Sequence, residues 1–102
     1  MQSISVQELS ERRKHFLVLD VRERWEWEIA HLEGAVHIPL KDIGVKINEL
    51  DPSCLIAVMC HHGVRSARVG DFLLQRGFSS VYNVEGGIDA WSREIDHSVP
   101  VY

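Results

Sequence analysis

An unbroken apolar run, Leu55-Ile56-Ala57-Val58-Met59, stops abruptly at Cys60 and gives way to the turn His61-His62-Gly63-Val64-Arg65. Five apolar residues in a row suit a strand covered on both faces, which a parallel sheet layered between helices provides. Helical spacing resumes at Ser66-Ala67-Arg68 and runs through Val69, Phe72 and Leu73 to Arg76, with Gly77 placed as a C′ glycine. Strand, loop and helix are therefore expected in that order, with Cys60 at the strand's C-terminal end. In open α/β sheets ligands bind outside that edge, and a helix starting just beyond it aims unpaired N–H groups and its positive dipole end into the loop. A thiolate is stabilised in such a place. Gly63 lets the backbone curl and Arg65 adds a permanent cation, so a reactive sulfur and an anionic substrate are both favoured.

Free cysteine is usually a small buried hydrophobe. A structural cysteine at a strand end, however, requires neither Gly63 nor Arg65, and their presence marks Cys60 as functional. The second cysteine, Cys54, lies across the extended segment, ~20 Å away at ~3.3 Å per residue. A disulfide needs Cα atoms within about 7 Å. Cys60 is thus expected as a free thiol and Cys54 as structural, and their spacing also misses the paired-cysteine pattern of zinc and thioredoxin-like sites.

The rest of the chain repeats the strand-then-helix pattern. Ser5 and Glu8 have capping-box spacing and open a short helix through Leu9 to about Arg13. Phe16-Leu17-Val18-Leu19 is a second buried strand, closed by Asp20-Val21-Arg22, so Asp20 and Arg22 fall near the site. A structural ion pair ordering the loop is the favoured reading, with Glu23, Glu26 and Glu28 as candidate partners for Arg22. Arg24 through Ala30 is helical, with one of Trp25 and Trp27 packed inward. Ala35-Val36-His37-Ile38 is a short strand ended by Pro39, and Leu40 through Leu50 an amphipathic helix. Val81-Tyr82-Asn83-Val84 is a further strand whose turn, Glu85-Gly86-Gly87, flanks the sulfur loop; Ile88 begins a last helix with Trp91 as a core anchor. Asp96 to Tyr102 reads as a tail. His31 and His37 lack the companions of a metal site, and no metal is expected.

This alternation implies an α/β fold with a parallel sheet and helices on both faces. At 102 residues one domain over 1–102 is expected. A net charge of −4, with no basic run longer than Arg12-Arg13-Lys14, argues against nucleic acid or an anionic membrane as partner. No apolar stretch approaches the ~20 residues that span a bilayer, so a cytoplasmic protein is expected.

Four segments, in order, then resemble the rhodanese-like domain family: Leu19-Asp20-Val21-Arg22; His31-Leu32-Glu33-Gly34-Ala35-Val36-His37-Ile38-Pro39; Cys60-His61-His62-Gly63-Val64-Arg65-Ser66; and Asn83-Val84-Glu85-Gly86-Gly87 with Trp91. The resemblance implies a three-layer α/β/α sandwich with about five parallel strands. It also implies a cysteine cycling between thiolate and persulfide, without a cofactor, to move sulfane sulfur from a donor such as thiosulfate to cyanide or a thiol. Carried over residue by residue, Cys60 matches the nucleophile, and His61, His62, Gly63, Val64, Arg65 and Ser66 the substrate-binding loop. Arg65 matches a position that contacts the donor's anionic end. Asp20, Arg22, Gly86 and Gly87 support the site.

Two other readings share the fold. Cell-cycle phosphatases and arsenate reductases place five residues between cysteine and arginine, whereas Cys60 and Arg65 enclose four, a cradle tighter than phosphate asks for. A sulfur relay to a partner protein's thiol, or a protein-interaction module, remains compatible with the same residues.

Overall fold

The computed structural model describes residues 1–102. Five parallel strands form one sheet in the order β1-β5-β4-β2-β3: β1 (Gln2–Ile4), β2 (Leu17–Asp20), β3 (Val36–His37), β4 (Ile56–Met59) and β5 (Val81–Val84). The expected parallel sheet sandwiched between helices is what the chain forms. The central strand β4 is buried at all four positions, as its unbroken apolar run requires. Its alternate residues divide between two cores. Ala57 and Met59 join Ile4, Leu9, Val18, Val84, Ile88 and Trp91 under α1 (Val6–Glu11) and α5 (Gly87–Glu94). Ile56, Val58 and Cys60 join Leu19, Val69, Leu73 and Ile43 under α3 (Ile43–Lys46) and α4 (Val64–Gln75). That two-residue period is the geometry of a pleated strand serving two helical layers.

Local chemistry sets the ends of the elements. The Ser5 hydroxyl accepts from the Glu8 amide at 3.1 Å, capping α1. Glu23 and Glu26 form a reciprocal capping box at the start of α2 (Arg24–Ile29). Helix α4 ends in a Schellman pattern: the amides of Phe78 and Gly77 donate to the carbonyls of Leu73 and Leu74, with Gly77 at φ +92°.

Four expectations are corrected. Strand β1 was not anticipated, because Gln-Ser-Ile carries no apolar run and buries only Ile4 at a sheet edge. The amphipathic helix expected over Leu40 to Leu50 breaks into α3 flanked by 3-10 turns at Leu40–Asp42 and Ile47–Glu49. Gly44 and the β-branched Val45 and Ile47 give it little intrinsic helicity, and Ile43 and Leu50 still reach the core. Helix α4 starts at Val64, two residues before the expected Ser66. Neither tryptophan of α2 is a core residue: Trp25 is 55% exposed, and Trp27 lies stacked between His31 and His37 at ring-centroid distances of 4.1 and 4.8 Å. The residue that α2 buries is Glu26.

Candidate active site

Register brings the chemistry to one edge. Asp20 aligns with His37 on one side and Met59 on the other, so the segments after β2, β3 and β4 leave the sheet together. The Val21 amide bonds the Met59 carbonyl at 3.0 Å, fastening the loop after β2 beside Cys60. Cys60 is buried and free of disulfide, as is the half-buried Cys54.

The chain after Cys60 curls around its own sulfur. Gly63, at φ +109°, is the N-cap of α4, a conformation that side chains resist. Its amide donates to Cys60 Sγ at 3.1 Å, and the Ser66 amide does so at 3.4 Å. The intervening amides of Val64 and Arg65 belong to the first helical turn, which has no internal acceptors, and no acceptor elsewhere in the chain takes them. The Cys60 thiol donates to Ser66 Oγ at 3.3 Å, and Ser66 Oγ in turn donates to Asn83 Oδ1. Asn83 closes the ring by donating to the Gly63 carbonyl at 3.1 Å. Asn83 lies inside the fourth matched segment, yet reading the sequence gave it no role.

Gly86 and Gly87 hold the loop from behind. The amides of Ile88 and Asp89, at the start of α5, donate to the carbonyls of Cys60 and His61 at 2.9 and 3.1 Å. These bonds draw the carbonyls away from the sulfur side. A Cβ on Gly87 would lie 2.4 Å from the Cys60 oxygen, so the two segments approach this closely only because residue 87 is glycine.

Asp20 and Arg22 form the structural ion pair expected of them. Asp20 Oδ2 accepts from Arg22 Nη2 at 2.7 Å and Oδ1 from Nε at 2.9 Å. The remaining guanidinium donors reach the carbonyls of Ala30 and Glu26 and the Tyr102 hydroxyl. Burial alone would push the Arg22 pKa down, but Asp20 and Tyr102 together outweigh it and the pKa is raised. The glutamate carboxylates suggested as partners do not serve: Glu26 offers Arg22 only its main-chain oxygen.

The Glu26 carboxylate faces Arg65 instead. Arg65 Nη2 donates to Oε2 at 2.8 Å and Nη1 to Oε1, and the Tyr102 hydroxyl donates to Oε2 at 2.7 Å. Burial pushes the Glu26 pKa up, yet the donors from Arg65, Tyr102 and the Glu23 amide together hold it down at about 2. Glu26 raises the Arg65 pKa in return. Two Arg65 donors are thereby committed to the protein rather than to a ligand. Tyr102, in the segment read as a tail, bridges Arg22 and Glu26, and burial pushes its phenol up to about 12. Its ring stacks on His61 at 4.0 Å between centroids and 4° between planes. No periodicity or motif in residues 96–102 signals this.

His61 and His62 follow Cys60 in the loop, their rings 3.9 Å apart. Burial, aided by His62, lowers the His61 pKa, and its Nε2 is buried without a hydrogen-bond partner. Ligand atoms of His61, His62 and Asp89 lie within 4.8 Å of one another, although Asp89 is already paired with Arg93 at 3.1 Å.

The parallel sheet thus carries one buried cysteine whose sulfur accepts two amides from the turn that opens the next helix. The rhodanese-like domain model matches residues 5–94, and the chain belongs to that family. It is 42% identical over 89 residues to a rhodanese-like/PpiC domain-containing chloroplastic protein of Arabidopsis thaliana, covering 83% of this chain and 30% of that one. It is 41% identical over 75 residues to the putative sulfur carrier protein YrkF of Bacillus subtilis, covering 74% and 40%. With the thiosulfate sulfurtransferase GlpE of Actinobacillus pleuropneumoniae it shares 36% identity over 74 residues, covering 72% and 68%. The chain thus spans less than half the length of the first two relatives. Among solved structures, a rhodanese-related protein of Thermoplasma volcanium superposes with a TM-score of 0.87 at 36% identity, covering 100% of this chain and 98% of that one. No helix is long and apolar enough to cross a membrane.

Proposed function

We propose that this protein is a sulfurtransferase that carries sulfane sulfur on Cys60. The Cys60 thiolate attacks the outer sulfur of thiosulfate or of a persulfide donor. A new S–S bond forms at Cys60 as the donor's S–S bond breaks, and the electron pair leaves with sulfite or with the donor thiolate. An acceptor thiolate or cyanide then attacks the outer sulfur of the Cys60 persulfide and returns Cys60 as thiolate.

The observation that supports this most is the pair of amides on Sγ, from Gly63 and Ser66, with those of Val64 and Arg65 free beside it. Fixed N–H dipoles suit negative charge that moves outward by one sulfur atom. Once Sγ is ionised, the Ser66 hydroxyl can rotate from Asn83 to donate to it. In this reading His61 and His62 line the pocket, and Arg65, held by Glu26, positions the loop more than it grips the donor. A phosphatase fits less well, since its arginine must be free to take phosphate oxygens. A dedicated relay to a partner protein is the second reading, favoured by the likeness to a putative sulfur carrier. Intact mass after incubation with thiosulfate tests the proposal. A gain of one sulfur, lost on adding cyanide and absent in Cys60→Ser, is expected; the same gain in Cys60→Ser overturns the assignment. Rapid discharge to one protein thiol alongside slow cyanide turnover would place the protein as a relay.

A further inference from the structure

We propose that His61, His62 and Asp89 form a binding site for one divalent transition-metal ion of the zinc type. The site is separate from sulfur transfer and does not depend on it. One ring nitrogen from each histidine and one carboxylate oxygen lie within 4.8 Å of one another, and no other three His, Cys, Asp or Glu side chains of the chain converge so closely. The remaining histidines offer no rival. His31 and His37 stack on Trp27, and each already bonds a main-chain oxygen through one ring nitrogen; His15 and His97 are exposed. The main chain builds the site. The Asp89 amide donates to the His61 carbonyl at 3.1 Å and the Ile88 amide to the Cys60 carbonyl at 2.9 Å, which docks the first turn of α5 on the residues after β4. Gly87 permits that approach, since a Cβ there would lie 2.5 Å from the His61 oxygen. The His61 ring is held by its stack on Tyr102, and the His62 ring lies 3.9 Å from it at a tilt of 32°. Two imidazoles and a carboxylate are thereby gathered before any ion arrives.

A second observation points to a ligand. His61 Nε2 is buried without a hydrogen-bond partner, whereas buried polar atoms are nearly always paired. A metal ion would satisfy it. Two imidazoles with one carboxylate suit Zn²⁺ and its first-row neighbours, while Ca²⁺ and Mg²⁺ ask for oxygen alone. Tetrahedral zinc, with bonds of about 2.0–2.2 Å, sets its ligand atoms about 3.4 Å apart, so these side chains need close by at most about 1.4 Å. The exposed His62 and the half-buried Asp89 have room to turn that far. Arg93 does not shut the ion out: its pair with Asp89 is a surface i,i+4 contact from a side chain 61% exposed, and such pairs are weak. It serves equally as the outer hydrogen-bond donor that steadies a ligating carboxylate. With three protein ligands, the fourth position is left for water.

Metal titration tests the site. Chelator-stripped protein carrying Cys54→Ser and Cys60→Ser, so that neither thiol can take the metal, is titrated with Zn²⁺ against a chromophoric chelator. Binding of one ion per chain is expected, and ring-nitrogen NMR signals of His61 and His62 should shift while those of the other histidines stay. Co²⁺ in place of zinc should give the visible bands of a tetrahedral nitrogen and oxygen site. In the same background His61→Phe keeps a ring against Tyr102 but removes the nitrogen, and Asp89→Asn keeps the shape but removes the charge. Each should weaken zinc binding at least about tenfold, since even outer partners of a ligand are worth that much. His62→Gln alters an exposed side chain, which the fold tolerates, and should do the same. His31→Gln and His97→Gln should leave binding as it was. Absence of saturable binding, binding that wild type shows and the cysteine-free background lacks, or binding unchanged in both His62→Gln and Asp89→Asn overturns the proposal. Each of those results leaves the sulfurtransferase reading to be decided by Cys60 loading alone.

Discussion

Glu26 and Arg65, 39 residues apart, meet in a two-point ion pair that ties α2 to the first turn of α4. Glu26 is only 2% exposed, whereas the Arg65 side chain is 33% exposed, so the two partners are not equivalent. Removing Arg65 strands a buried carboxylate; removing the charge of Glu26 leaves a cation that can still reach water. Arg65→Ala should therefore destabilise by roughly 3 kcal/mol and Glu26→Gln by about 2 kcal/mol. Denaturant midpoints at neutral pH check the order.

The same pair makes an acid prediction. The Glu26 carboxyl is held at about 2, below its ordinary 4.5. A depressed pKa contributes stability that is present above the unfolded value and lost as pH falls through the folded one. Wild type should thus lose its advantage over Glu26→Gln between about pH 4.5 and 2. Denaturation curves collected across that window would show the gap closing, and a gap unchanged at pH 2 counts against the pair.

How much of this was legible beforehand differed by residue. The strand-loop-helix geometry is legible because an apolar run announces the strand and Gly63 follows Cys60 by three residues, at the turn into the helix. Gly87 meets this loop through a close approach to the Cys60 and His61 carbonyls, a tertiary contact that no local pattern encodes. Glu26 was misassigned to Arg22, because partner choice among nearby carboxylates depends on which face of α2 turns inward. The expected tryptophan core misled there. Tyr102 was invisible, since its bonds to Arg22 and Glu26 span 80 and 76 residues. Strand β1 escaped because an edge strand with one buried residue leaves no periodic signal.

Tyr102 gives a prediction that separates hydroxyl from ring. Tyr102→Phe keeps the stack on His61 but removes the bridge between Arg22 and Glu26, which should cost about 1 kcal/mol. Tyr102→Ala loses both and should destabilise further, because the ring stack on His61 goes as well. With its pKa raised to about 12 from 10, the phenol favours the fold below its ordinary pKa and loses that contribution as pH rises through the folded value. Wild type, but not Tyr102→Phe, should weaken from this source between pH 10 and 12.

Two glycines with positive φ make a matched pair. Gly77, at φ +92°, has nothing within 4 Å of a built Cβ, whereas Gly87, at φ +58°, would meet the His61 oxygen at 2.5 Å. Gly77→Ala should cost about 1 kcal/mol from backbone strain alone and leave sulfur loading intact. Gly87→Ala adds a collision with the main chain of the loop and should cost about 3 kcal/mol or more. Thermal unfolding gives the first comparison. Loading by intact mass, measured well below the melting temperature, gives the second, and Gly87→Ala alone should be slow.

Ser66 and Asn83 work as one unit if the hydroxyl is a switch between amide oxygen and sulfur. In the described state Ser66 Oγ accepts from the Cys60 thiol and donates to Asn83 Oδ1, and Asn83 also pins the Gly63 carbonyl. Ser66→Ala removes the group that can turn toward an ionised sulfur and should slow loading about tenfold, since hydrogen bonds to charged groups contribute roughly 1.5–3 kcal/mol. Asn83→Ala frees the hydroxyl but loosens Gly63, whose amide is the closer of the two sulfur donors. Because each substitution disturbs the same ring, the double variant should fall short of the summed single effects by roughly 1 kcal/mol in loading barrier. Stopped-flow loading rates for the four proteins of the cycle measure this coupling. Strict additivity would mean that Ser66 and Asn83 act on the sulfur separately, and the hydroxyl switch would have to be abandoned.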